Sequence, residues 1–325
     1  MRLVAKAKFR WASLHAIHSP SLDGRPCARP MDRVDSLWSA VAKEGPPRRR
    51  SASGPPWLRL TASASLALIC AACPSRAADP CADRARVAEA LHEGDEYQAA
   101  ALLFAAARLG CEREARALLD RGAAVDAKDR EGATALARAA QAGKIAVATL
   151  LIDRGADVNA RAINGSTPLF YAAEADRAAM TRLLLDRGAD PNIAGRGGLR
   201  PLAAAAYNGS EGSAELLLKH GADPNALDGD GKGAIVYAAG RAYAPTVALL
   251  IAAGVDVNRR YSHDLTALMW AAGHDASAGV DDVDATLKAL IDHGAALDLK
   301  DDRGQTAADI GRELGHERAA KLLQQ

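Results

Sequence analysis

LLLDRGADPN, at residues 183–192, decides how this chain is built, because the same line returns at a fixed interval. It appears as LLDRGAAVD at 118–126, LLIDRGADVN at 150–159, LLLKHGADPN at 216–225 and LLIAAGVDVN at 249–258. Its glycine falls at Gly122, Gly155, Gly188, Gly221 and Gly254, 33 residues apart. A period of this length means one supersecondary unit stacked on copies of itself, not a single closed core. The apolar residues finish a helix, the glycine supplies the left-handed residue that follows it, and the Asp/Asn-rich tail turns the chain.

A second pattern alternates with the first. It reads EGATALARAA at 131–140, NGSTPLFYAA at 164–173, GGLRPLAAAA at 197–206, DGKGAIVYAA at 230–239 and HDLTALMWAA at 263–272. Thr134, Thr167, Thr266 and Thr306 stand where a helix needs an N-cap acceptor. Pro168 and Pro201 occupy a first helical position, where the missing N–H costs nothing. The Leu and the Ala pair then share one helix face. Each unit is therefore expected to be two short antiparallel helices.

The combined pattern of turn, Thr-Pro-Leu, Ala-Ala, Gly, second helix and Gly-Ala-Asp-x-Asn resembles the ankyrin repeat. The resemblance covers residues 96–325 and implies an all-α solenoid with units at 96–128, 129–161, 162–194, 195–227, 228–260, 261–300 and 301–325. The chain departs from that family where a histidine usually follows Thr-Pro-Leu: here stand Phe104, Ala137, Phe170, Ala203, Val236, Met269 and Asp309. Arg200 and Gly233 replace the threonine, so those two units are expected to lose a capping bond of about 1 kcal/mol each.

Composition agrees with the repeat. Hydrophobic residues make up 49% and aromatics only 4%, which suits helices packed through alanine. Charge is divided unevenly: residues 1–78 hold 13 Lys+Arg against 4 Asp+Glu, and the remainder 28 against 36. An acidic body argues against a nucleic-acid partner. Residues 1–57 read as a disordered or wrongly assigned leader, rich in Pro, Gly, Ser and Arg. Residues 58–78 follow the Arg48–Arg49–Arg50 run with a short apolar stretch and Ser75-Arg76-Ala77, the three-part pattern of an export signal. This predicts a mature chain beginning at Ala78 or Asp79 in a periplasmic or secreted location; a fortuitous alanine-rich run would leave it cytoplasmic. Residues 79–95 are expected to form an N-terminal capping helix. Export would leave Cys81 and Cys111 as one disulfide in an oxidising compartment; two unrelated small thiols are the alternative.

The ankyrin resemblance implies a non-catalytic module that holds another protein on its turn tips and first-helix ends. Those slots hold Arg130, Glu131, Gln141, Asn164, Glu174 and Arg196 in the first half. Tyr207, Asn208, Lys232, Arg241, Tyr261, His263 and His274 follow, and these seven are the expected partner-binding residues because Tyr and Arg anchor interfaces most often. Tyr171, Tyr237 and Trp270 share one helical position and read as framework. An inhibitor masking a partner enzyme, or a scaffold or effector for host proteins, are sharper versions of the same role. One unit carries seven extra residues around Asp275, Asp281, Asp282 and Asp284; these acids lack the ligand ladder of an EF-hand and are expected to flank a helix start. No catalytic, cofactor or metal constellation is legible, and a monomer is expected.

Overall fold

The computed structural model describes Cys81 and residues 96–274 and 278–324. The leader, the export-signal segment and most of the expected capping helix lie outside the described residues. Among the described residues fourteen α-helices follow one another: α1 Glu96–Leu109, α2 Glu112–Asp120, α3 Ala135–Ala142, α4 Ile145–Asp153, α5 Pro168–Glu174, α6 Ala178–Asp186, α7 Pro201–Asn208, α8 Glu211–Lys219, α9 Ala234–Gly240, α10 Ala244–Ala252, α11 Ala267–Ala272, α12 Val280–Asp292, α13 Ala307–Leu314 and α14 Glu317–Leu322. No β-strand occurs among the described residues.

The odd-numbered helices pack in succession from α1 to α13, and the even-numbered ones from α2 to α14. Alanine allows the close approach in the first row. Ala106/Ala107, Ala139/Ala140, Ala172/Ala173, Ala205/Ala206, Ala238/Ala239 and Ala271/Ala272 are all essentially inaccessible to solvent. Leucines fill the seam between the two rows, with Leu118, Leu151, Leu184, Leu217, Leu250 and Leu290 buried one per unit.

The caps form where the sequence places them. Thr134, Thr167, Thr266 and Thr306 each accept the backbone N–H three residues on. Asp309, in the slot usually held by histidine, returns the favour by accepting from both the Thr306 N–H and its hydroxyl. Those Thr306 bonds hold the Asp309 carboxyl below its ordinary range.

Asparagine staples one unit to the next. Asn192 donates to the Gly221 carbonyl at 2.9 Å and accepts from the Asp223 N–H at 2.9 Å. Asn159 and Asn258 repeat the arrangement with the following units. The side chain serves as donor and acceptor at once, which explains why an amide is suited to this slot.

The loop between the paired helices sets a further constraint. Gly209 has φ +68°, and a Cβ there would fall 2.7 Å from the Tyr243 ring. Gly209→Ala is therefore expected to cost about 1–3 kcal/mol, from the left-handed backbone and the clash together. Urea unfolding measures it; an unchanged midpoint would contradict the close approach.

The extra residues of the sixth unit lengthen a helix. α12 has 13 residues where α4, α6, α8 and α10 have nine, with Asp281 and Asp282 in its first turn. Arg318 of α14 pairs with Asp281 at 3.2 Å and Asp284 at 2.6 Å, so these acids fasten the insertion to the last unit. Asp275 lies outside the described residues.

Candidate protein-binding face

Turn tips and the ends of the odd helices share one face, and an acidic side chain builds three of the tips. Asp129, Asp228 and Asp301 each accept two backbone N–H groups, two and four residues on. Where that slot is Gly195 or Tyr261, the tip instead closes as a short 3-10 turn at Arg196–Gly198 or Ser262–Asp264. Such a turn needs left-handed residues. Gly197 and Gly198 supply them at no steric cost in the first case, whereas His263 (φ 63°) and Asp264 (φ 57°) must adopt them in the second. The next tip supports that strain: Asp302 Oδ2 lies 2.9 Å from His263 Nδ1, and the Asp302 N–H donates to the His263 carbonyl at 3.2 Å.

The middle of the face is aromatic and cationic. The Arg241 guanidinium lies 4.8 Å from the centroid of the Tyr207 ring. Tyr207 in turn meets Tyr237 edge-on, with centroids 6.0 Å apart and planes at 77°. The Tyr237 hydroxyl donates to Asp228 Oδ2; burial, then the Asp228 carboxylate, push this phenol well above its ordinary range. Asn208 is exposed yet held, donating to the Glu174 carbonyl at 2.9 Å and the Ala204 carbonyl at 3.2 Å. Glu174 pairs with Arg196. Burial raises the Glu174 carboxyl, and Arg196 offsets only part of that rise.

Toward the N-terminal end lies a cleft of about 510 Å³ between α1 and the tip at 128–131. Tyr97, Phe104, Arg130, Glu131 and Arg138 line it, and Tyr97 is 77% exposed. Arg138 is braced by Asp129 and Glu131, each at 2.7 Å. Desolvation opposes its charge, but the bonds to Glu131 and Asp129 prevail and raise it. Exposed Tyr97 falls outside the slots that the period marks, so counting along the repeat misses this cleft.

A family model described as "Ankyrin repeats (3 copies)" matches residues 76–162, 160–228 and 202–282. The chain belongs to the ankyrin-repeat family. Among solved structures, it is similar to the ankyrin repeat domain of human ASB11 at 25% identity and a TM-score of 0.60. That match covers 68% of this chain and 96% of the human one. A comparison with curated proteins found no match. Ankyrin arrays are protein-binding modules, and that is the class of function this chain carries.

The ankyrin frame does not present all seven expected binding residues to solvent. Lys232 is a correction: it is only 3% exposed. Its Nζ lies 5.9 Å from the Tyr237 ring and 5.4 Å from the Trp270 ring, with Asp230 at 3.6 Å. The long apolar stem lets the amine fold inward onto the rings, so the side chain supports the tip from within. Tyr261 is the second correction, at 7% exposed. Its ring packs against Gly233, where a Cβ would come within 2.9 Å, and Arg259 covers it at 5.5 Å. Burial pushes the Tyr261 hydroxyl up to about 12.

These contacts also explain two departures from the repeat. Gly233 gives up the threonine cap to make room for Tyr261. Arg200 likewise caps nothing, but donates to the Asn192 carbonyl at 3.1 Å and the Leu227 carbonyl at 3.0 Å. The expected loss of a bond in that unit is therefore made good elsewhere. Tyr207, Asn208, Arg241 and His263 remain on the accessible face. His274 is half-buried and stacked on His316, with centroids 3.8 Å apart. Tyr171, Tyr237 and Trp270 are buried at 7%, 6% and 3% exposure, as framework should be.

Proposed function

We propose that this ankyrin array is an exported binding module that holds a protein partner on the face centred on Tyr207 and Arg241. The observation that carries this reading is the stack of Arg241 on Tyr207, backed edge-on by Tyr237. An aromatic ring already fixed by its neighbours loses little side-chain freedom on binding, so its contact area converts efficiently into affinity. Asn208, next to Tyr207 on α7, and the exposed His263 at a turn tip add polar groups. Tyr207, Asn208, Arg241 and His263 are the residues assigned to the contact.

Export rests on the basic run, the apolar stretch and Ser75-Arg76-Ala77 before an acidic body. In its own cell, the mature protein is expected to start at Ala78 or Asp79, which N-terminal sequencing reads directly. An intact leader on a cytosolic product would refute export.

The binding face is tested by pull-down with the mature chain, followed by the triple variant Tyr207→Ala, Asn208→Ala and Arg241→Ala. Loss of at least about 2 kcal/mol, roughly thirtyfold in affinity, is expected with the fold retained by circular dichroism. Unchanged affinity in a folded triple variant would move the contact elsewhere. If the captured protein is an enzyme whose activity the module suppresses, the masking role follows; if its activity persists in the complex, a scaffold does.

A further inference from the structure

At the N-terminal end of the array, Cys81 and Cys111 are joined as a disulfide. Cys111 is the N-cap residue of α2, and Glu114 lies in the first turn of that helix. Spacing of three residues along a helix puts Cys111 and Glu114 on one side of it. The two sulfurs and a Glu114 carboxylate oxygen all lie within 4.8 Å of one another.

Glu114 is the unusual member. Its side chain is mostly buried, at 7% exposed, beside the two sulfurs. A carboxylate so placed is costly unless something balances its charge. The helix dipole contributes about 0.3–1 kcal/mol there, which is a partial answer.

From this juxtaposition we infer a second state of the same site: once reduced, Cys81, Cys111 and Glu114 bind a thiophilic divalent cation of the Zn²⁺ class. Reduction needs a two-electron donor, in a cell a dithiol. The disulfide accepts two electrons and two protons, and the dithiol leaves as its own disulfide. Cation binding then releases the two thiol protons to solvent, leaving two thiolates and a carboxylate as ligands. Tetrahedral coordination with Zn–S of about 2.3 Å and Zn–O of about 2.0–2.2 Å needs ligand atoms about 3.3–3.8 Å apart. The sulfurs must separate from bonding distance, and the carboxylate must close on them from within 4.8 Å. Three protein ligands leave the fourth position to water.

The consequence concerns the end of the stack. A terminal unit has one stacking neighbour and frays most readily. The segment at Cys81 is tied to α2 by a covalent bond under oxidising conditions, and by a metal after reduction. The tether thus survives a change in redox state.

Co²⁺ is the probe, added to the full chain after reduction with a phosphine that carries no thiol. The reduced protein should develop the thiolate-to-cobalt charge-transfer absorption of two sulfur ligands, bleached by equimolar Zn²⁺. The oxidised protein should show none. Glu114→Gln should retain the thiolates but weaken Co²⁺ binding at least tenfold, with circular dichroism confirming that it folds. Cys111→Ser should abolish the band. A reduced, folded protein that takes up no Co²⁺ overturns the site, and so does a Glu114→Gln variant that binds as tightly as the parent.

Discussion

Leu217→Ala is expected to lower the unfolding free energy by about 2–5 kcal/mol. Leu217 lies on α8 at 0% exposure, in the seam between the two helix rows. Units on both sides hold α8 in place, since it packs on α6, α7 and α10. Collapse around the missing atoms is correspondingly restricted, and the cavity persists. Because each unit depends on its neighbours, the loss should also weaken the coupling between the two halves of the array. Urea unfolding should therefore show an earlier and broader transition. Leu218, next along the helix and half-exposed, provides the internal comparison. Leu218→Ala should cost clearly less. Equal losses at the two positions would mean that the seam does not run through Leu217.

The two alternating patterns point to a pair of helices in each regular unit, because each signal lies within one unit. Caps, prolines and left-handed glycines act over four or five residues and can be read directly. Contacts between units follow different rules. Gly233 and Tyr261 look like two unrelated departures along the chain, yet they are one adjustment in space: the missing Cβ admits the ring. Arg200 similarly looks like a lost cap, although its guanidinium serves two neighbouring loops. Lys232 shows the limit of counting slots. Its position is at a tip, but a four-carbon stem can direct its amine inward, and two rings reward that choice. Glu114 gives no sign in sequence of its proximity to Cys81. Tyr207 and Arg241 were legible as residue types at exposed slots; their stacking, which makes them a platform, was not.

Asp228→Ala should have a comparable effect by a different route. One oxygen of this carboxylate accepts the N–H groups of Asp230 and Lys232, both at 2.9 Å, and the other accepts the Tyr237 hydroxyl. Tyr237 is 6% exposed, so its hydroxyl would lose its acceptor where water reaches poorly. An unsatisfied buried donor costs about 1–3 kcal/mol, and the tip loses its bonds as well, giving about 2–4 kcal/mol in all. A double-mutant cycle separates these contributions. Tyr237→Phe removes the orphaned hydroxyl, so adding it to Asp228→Ala should recover about 1–2 kcal/mol of the loss. The same change reaches the binding face indirectly. Tyr207 rests edge-on against Tyr237 and carries Arg241, so a displaced Tyr237 should weaken partner affinity although Asp228 need not touch the partner. Thermal melts and affinity measured on the same four proteins decide the matter. If Tyr237→Phe recovers nothing, the hydroxyl is not what Asp228 satisfies. If stability falls while affinity is unchanged, the platform does not depend on the tip beneath it.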